Sequence, residues 1–161
     1  LAEAAEAGAL YRNFQGYTAD AADALLGFGA SAIGALPQGY VQNDPDVRGW
    51  RSAIFEHGLA TVRGRQLTDD DRLRRAIIER LMCDMTVDID EVAAAHGDTP
   101  DSFATDMAAL ETMRRDGLVE ISGASVTMTK TGRPLVRAAA AAFDRYLDRS
   151  GDASPRHARA I

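Results

Sequence analysis

Residues Tyr11–Gly34 read YRNFQGYTADAADALLGFGASAIG, a polar loop set between two short apolar runs and closed by a glycine-spaced segment. Tyr11 to Gln15 can form a short strand, Gly16 to Ala19 a loop, and Asp20 to Leu26 a lead into the small-residue stretch Gly27–Gly34. Strand, loop and strand in this order suit consecutive rungs of a larger sheet. Upstream, LAEAAEAGAL (Leu1–Leu10) is rich in alanine and glutamate and reads as the last turns of a helix, with Gly8 placed to stop it.

Gly27, Gly29 and Gly34 invite comparison with dinucleotide-binding loops. Their spacing, G-x-G-x-x-x-x-G, departs from the G-x-G-x-x-G fingerprint, and no acidic residue follows at the distance that fold requires. The other reading is that these glycines let a strand end approach a second backbone closely.

Downstream, Asp44, Pro45 and Asp46 open a helical stretch with Pro45 suited to the first helical position, Val47, Trp50, Ile54 and Phe55 on one side, and Gly58 at its end. After Arg63-Gly64-Arg65 the character of the chain changes, which places a boundary between residues 1–63 and a self-contained helical domain at 64–161. Thr68 reads as an N-cap ahead of Asp69, Asp70 and Asp71, carboxylates that suit the positive end of a helix dipole. Leu73, Ile77, Leu81 and Met85 then recur every fourth residue with Ile78 and Met82 beside them. Asp88 and Glu91 have capping-box spacing ahead of a short helix ending at Gly97. Thr99 caps the next helix from Pro100, with Phe103, Met107, Leu110 and Met113 as its apolar stripe and Gly117 as its stop. A tight hairpin is expected at about 118–128, turning at Ser122-Gly123-Ala124. A last helix runs from about Arg133, with Pro134 in its first turn, to Leu147, before a polar tail over Ser150 to His157.

The bulk numbers exclude several classes. Apolar residues at 46% and charged residues at 26% separate the chain from disordered sequences. No apolar run approaches the roughly 20 residues of a membrane helix. Leu1–Leu10 is acidic rather than basic, so neither a membrane partner nor a leader is expected and the expected location is the cytoplasm. A formal net charge of -6 argues against a nucleic-acid partner. The single cysteine, Cys83, rules out an internal disulfide and cysteine-cluster metal sites, and in LMCDM it reads as a buried small hydrophobe with no basic neighbour to lower its pKa. His57, His96 and His157 lack ligand spacing, so no metal site is expected. No local carboxylate pair or Ser-His-Asp pattern suggests hydrolytic chemistry, and no catalytic residue is assigned.

Several separated segments, in one order, resemble the oxygen-independent coproporphyrinogen III oxidases, the radical S-adenosylmethionine enzymes of anaerobic haem synthesis. These are RNFQGYT (Arg12–Thr18), DALLGFGASAIG (Asp23–Gly34), the run Tyr40, Gln42 and Asn43, LTDDDRLRRAIIERLMC (Leu67–Cys83), RRDGLV (Arg114–Val119), TKTGRPLVR (Thr129–Arg137) and the terminal ARAI. Asp84 is a departure, since the family commonly has asparagine after this cysteine. The resemblance implies oxidative decarboxylation of two propionates of coproporphyrinogen III to vinyl groups, giving protoporphyrinogen IX, with S-adenosylmethionine and a 4Fe–4S cluster as cofactors.

It also implies an α+β fold in which residues 1–63 are the strand and helix remnant of an α/β partial TIM-like barrel. Residues 64–161 would be a mainly α-helical domain of winged-helix-like order, three helices, a short β-hairpin and a helix. The implied partners are an N-terminal barrel of the same protein and the tetrapyrrole substrate. This piece lacks the cluster-binding cysteines, so it is expected to bind no cofactor alone and to be inactive alone.

By the resemblance, Ile33 aligns with a position that contacts a second S-adenosylmethionine. Gln15 is the polar side chain placed nearest that pocket, its amide able to donate and accept at once. Core packing for Ile33 and a loop-anchoring hydrogen bond for Gln15 are the competing readings. Arg12 is a candidate for a bidentate contact with a substrate propionate, and Tyr17 and Tyr40 have the same standing. The reading from another class is a winged-helix module that binds DNA through Phe103 to Arg115, or that binds protein only. Arg114 and Arg115 favour the DNA form of it, while Asp101, Asp106, Glu111 and Asp116 on the same stretch oppose phosphate.

Overall fold

The structure is a computed structural model that describes residues 1–97 and 103–147. The expected Thr99 cap, the start of its helix at Pro100 and the polar tail from Ser150 lie outside the described residues. Helix α1 (Ala2–Glu6) is a single short segment ahead of Gly8, which takes φ +63. Strands β1 (Tyr11–Asn13) and β2 (Gly16–Thr18) then form an antiparallel hairpin with Arg12 opposite Tyr17. The chain therefore reverses at Phe14-Gln15, sooner than the expected loop at Gly16–Ala19. Gly16 supplies φ +133, and the Asn13 side chain accepts the Gln15 N–H at 2.8 Å, which together close the tight turn.

No strand forms over Asp20–Leu26 apart from a bridge between Leu25 and Ala35. Thr18 Oγ1 accepts the Asp20 N–H and Asp20 Oδ1 accepts the Ala22 N–H, so short side chains capture backbone donors that a ladder would use. The second sheet is antiparallel, in order β3 (Ile33–Leu36), β4 (Gly39–Asn43), β5 (Thr61–Gln66). A Cβ at Gly39 would fall on the Arg65 carbonyl, so only glycine lets β4 and β5 approach there. Between them, α2 (Val47–His57) starts two residues later than expected, because Asp46, not Asp44, is the N-cap and accepts the Gly49 N–H at 2.8 Å. None of its residues is buried, and Phe55 is 78% exposed. Strand β5 also runs straight through the boundary expected at residue 63, since pairing with β4 outweighs the strand-breaking Gly64.

The enclosed core belongs to the second half. Helix α3 (Asp69–Asp84) carries the full capping box, with Thr68 accepting the Asp71 N–H and Asp71 accepting the Thr68 N–H. Its expected stripe is in place, with Leu73, Ile77 and Leu81 almost wholly buried. Met85 instead ends the helix in the left-handed region at φ +61. A strand not foreseen, β6 (Thr86–Asp88), joins β7 (Val119–Ser122) and β8 (Ser125–Met128) in the order β6-β8-β7. Helix α4 (Ile89–Ala95) follows with Asp88 as its cap, then α5 (Ala104–Ala109) and α6 (Glu111–Arg115). The hairpin turns at Gly123-Ala124, with Gly123 at φ +59.

The last helix departs most from expectation. A 3-10 turn at Arg133–Leu135 leads into α7 (Val136–Ala140) and a second 3-10 turn at Ala141–Phe143, after which Asp144 is extended. The reason is tertiary. The Phe143 carbonyl, which a continuing helix would offer to Leu147, accepts from Arg74 at 3.1 Å. Arg145 pairs with Asp70, and the Tyr146 hydroxyl donates to Asp71 at 2.7 Å, drawing the chain across α3.

These contacts make Asp71 a pH-dependent strut. The Thr68 backbone N–H first, and then the Tyr146 hydroxyl, hold its carboxyl down at about 2 against an ordinary 3.8. A depressed carboxyl stabilises the fold above the unfolded value and loses that contribution as pH falls through the folded one. Relative to the native chain, Asp71→Asn should therefore show its full stability deficit above pH 3.8 and almost none below about 2 in urea unfolding across this range. A deficit independent of pH would contradict this.

Candidate functional site

The β1–β2 hairpin is fastened to α3 at two points. The Arg12 N–H donates to Glu79 Oε1 at 3.1 Å, and the Tyr17 hydroxyl donates to the Met82 carbonyl at 3.1 Å. At its tip, the Phe14 ring meets Tyr40 edge-on at 5.2 Å between centroids. Hairpin, β3–β4 sheet and α3 thereby enclose a cleft of about 180 Å³. Arg12, Phe14, Tyr40, Arg75, Glu79 and Met82 line it.

Side chains along a strand alternate between faces. Ala35 and its register partner Tyr40 border the cleft, so Ile33 and its partner Gln42 extend the same face two residues along. Ile33 is 37% exposed and lies outside the buried core of this chain. Strand β3 is an edge of its sheet, and the outward peptide groups of Ala35 are taken by Leu25, at 2.8 Å each way. Ile33 shares that outward phase.

The glycines have a structural explanation. A Cβ at Gly27 would meet the Ile33 carbonyl at 2.9 Å, and one at Gly34 the Leu25 carbonyl at 3.0 Å. They serve close backbone approach, as in the second of the two sequence readings. Asn43 locks the loop by donating to the carbonyls of Gly27 and Gly29, at 3.2 and 3.0 Å. Gln15 stands exposed at the hairpin tip, its backbone held by Asn13, and no hydrogen bond joins its side chain to Ile33 among the described residues.

The charges in the cleft are unevenly satisfied. Arg12 Nε is buried without a hydrogen-bond partner, its guanidinium resting 5.8 Å from the Tyr17 ring centroid. Arg75 lies 5.7 Å from the Tyr40 ring centroid. Among the described residues neither guanidinium has a carboxylate within 4.0 Å, since Glu79 accepts only the backbone N–H of Arg12, whereas Arg72, Arg74 and Arg80 on the same helix are all ion-paired. Arg75 and Glu79 were not singled out from sequence. The signal was present, because 75, 78, 79 and 82 form a second stripe beside the core stripe of α3 and Ile78 and Met82 already stood out on it.

Cys83 is buried nearby, and burial first, then the charges of Glu79 and Asp84, push its thiol up to about 11. A thiol so protonated is a poor ligand, and no group of three metal-binding side chains exists among the described residues. This chain's residues therefore do not fit an iron–sulfur cluster. The DNA-binding reading also loses its footing. Arg114 is held by both carboxylate oxygens of Glu111 at 2.8 Å, and Arg115 also lies within 4 Å of that carboxylate. No helix of the described residues is long and apolar enough to cross a membrane.

Comparison with known proteins points the same way. Residues 67–135 match the family profile of the HemN C-terminal domain. Oxygen-independent coproporphyrinogen III oxidase from Bradyrhizobium diazoefficiens is 47% identical over 148 residues, 92% of this chain and 33% of that protein. The enzyme of the same name from Cereibacter sphaeroides is 42% identical over 157 residues, 94% of this chain and 33% of that protein. A solved structure of coproporphyrinogen III oxidase (HemN) from Escherichia coli, described as a radical SAM enzyme, superposes with a TM-score of 0.86 at 37% identity, covering 91% of this chain and 34% of that one. The chain spans about a third of the length of the relatives it matches. With sequence and shape agreeing over more than nine-tenths of its residues, the chain carries a match to the HemN C-terminal domain at residues 67–135 and is similar to about a third of the length of the oxygen-independent coproporphyrinogen III oxidases.

Proposed function

We propose that this chain forms the margin of the active site and the helical cover of a radical S-adenosylmethionine coproporphyrinogen III oxidase. The complete enzyme would convert two propionates of coproporphyrinogen III to vinyl groups, giving protoporphyrinogen IX. The observation that carries this reading is agreement in both sequence and shape with the Escherichia coli enzyme, 37% identity at a TM-score of 0.86. When bound, S-adenosylmethionine supplies the radical that begins the decarboxylation.

This chain's own residues bind, orient and exclude water. Ile33 offers an exposed aliphatic wall, a surface that suits the face of an adenine. Gln15 presents an exposed amide at the hairpin tip, next in the chain to Phe14. Residues 1–66 continue a barrel wall, and Leu26, Phe28, Phe55 and Leu59, all more than 60% exposed, are the surface that the remainder of the enzyme covers. From α3 onward the order helix, β6, helix, helix pair, β7–β8 hairpin is winged-helix-like and acts as a closure over the substrate opening.

An anaerobic assay of the complete protein with coproporphyrinogen III is the direct test, and absence of vinyl products with cofactors loaded would refute the assignment. In that assay Ile33→Asp should raise the KM for S-adenosylmethionine about tenfold, the effect of placing a charge against an apolar wall, with the cluster absorbance unchanged. The isolated chain should show no turnover.

A further inference from the structure

The cleft under the hairpin holds two arginines whose guanidinium groups form no ion pair among the described residues. Arg12 Nε is withdrawn from water without an acceptor, and a buried donor left in this state needs an explanation, since almost all such groups are satisfied. Arg75 lines the same space and has no carboxylate within 4.0 Å among the described residues, though Glu79 stands one turn away on α3. Glu79 is the one acidic group lining the cleft among the described residues, and its Oε1 accepts the backbone N–H of Arg12 rather than its guanidinium. The rest of the lining is aromatic or aliphatic, Phe14, Ala35, Tyr40, Ile78 and Met82, with Asn13 at the hairpin end.

We propose that this cleft is a subsite for a carboxylate carried on a short aliphatic arm, gripped by the guanidinium groups of Arg12 and Arg75. Guanidinium presents paired N–H donors that match the two oxygens of a carboxylate, and such charge-assisted pairs are the strong ones. The apolar walls accept the methylenes behind it. The volume, about 180 Å³, lies below the roughly 300–1,000 Å³ of pockets that enclose a whole drug-sized ligand, so the cleft takes an arm and not a macrocycle. The inference rests on the coproporphyrinogen reading above and deepens it: the arm is a propionate of the tetrapyrrole, held while another propionate reacts. The amino-acid end of S-adenosylmethionine has the same chemistry and is the competing source.

Fluorescence titration of the complete protein with coproporphyrin III, the stable oxidised tetracarboxylate, tests the subsite, with its tetramethyl ester and S-adenosylmethionine titrated in parallel. Arg75→Gln should weaken coproporphyrin III binding by roughly ten- to a hundredfold, the worth of one or two charge-assisted hydrogen bonds. Arg75→Lys should recover part of the loss, the ester should bind weakly to every variant, and S-adenosylmethionine affinity should not move. Arg75 is solvent-exposed, so its replacement leaves the fold in place, and Arg12→Lys provides a second variant that keeps the charge.

Unchanged coproporphyrin III affinity in Arg75→Gln and Arg12→Lys would overturn the subsite. So would a loss confined to S-adenosylmethionine, or a fall in thermal stability with binding unaltered, which would mean that a carboxylate of the protein itself occupies the cleft. Failure of the native protein to bind coproporphyrin III at all would remove the coproporphyrinogen reading together with the subsite.

Discussion

Phe103→Ala is expected to lower the unfolding free energy by about 3–5 kcal/mol, the usual cost of emptying a fully enclosed aromatic site. Phe103 has no exposed surface, and its ring lies 6.4 Å from that of Phe143, which is equally enclosed. The Arg74 guanidinium rests 5.0 Å from the Phe103 ring centroid. Removing the ring therefore opens a cavity between α5, α7 and α3 and withdraws the aromatic face from a charge that is 15% exposed. A urea titration should show the midpoint falling with the slope nearly unchanged. A loss under 1 kcal/mol would mean that this core collapses into the space.

Arg74→Met should cost about 3 kcal/mol, near the lower end of the range for removing one partner of a buried ion pair. Methionine keeps the aliphatic volume, so the change isolates the polar contacts. Arg74 bonds Asp70 at 3.0 Å, Asp106 at 3.0 Å and the Phe143 carbonyl at 3.1 Å. Asp106 is buried, and desolvating a carboxylate with weakened compensation is the dominant cost. The freed Phe143 carbonyl gives the experiment a second readout, because it could again serve Leu147. Hydrogen exchange at 144–147 should therefore change in Arg74→Met and not in Arg72→Met, whose pair with Asp69 is at the surface. Equal stability of the two variants would contradict the network.

Helix α3 was legible because its information is local. Thr68 and Asp71 satisfy each other across one turn, and Leu73, Ile77 and Leu81 repeat at the period of the helix. The hairpin near Gly123 was legible for the same reason, its turn being specified by residues that touch. By contrast, β5 contains Gly64 between two arginines and all six of its residues are exposed, so only its partner β4 makes it a strand. The three-residue β6 exists because β8 arrives beside it. Of the candidate site, Arg12, Tyr40 and Ile33 could be named from the chain. Arg75 was legible only as a member of the stripe 75, 78, 79 and 82, because what distinguishes it, the absence of the ion pair that its helix neighbours possess, depends on tertiary placement.

The sequence by itself determined the family resemblance, the stripe of the helical core and the caps that start α3 and α4, because each depends on contacts within a few residues or on a pattern repeated along the chain. Tertiary structure alone decided where the last helix breaks, which strands pair, and that Arg12 and Arg75, 63 positions apart, share one cleft. Those outcomes turn on competition for hydrogen-bond partners between segments distant in the chain, such as Arg74 taking the Phe143 carbonyl, and no local preference records who wins.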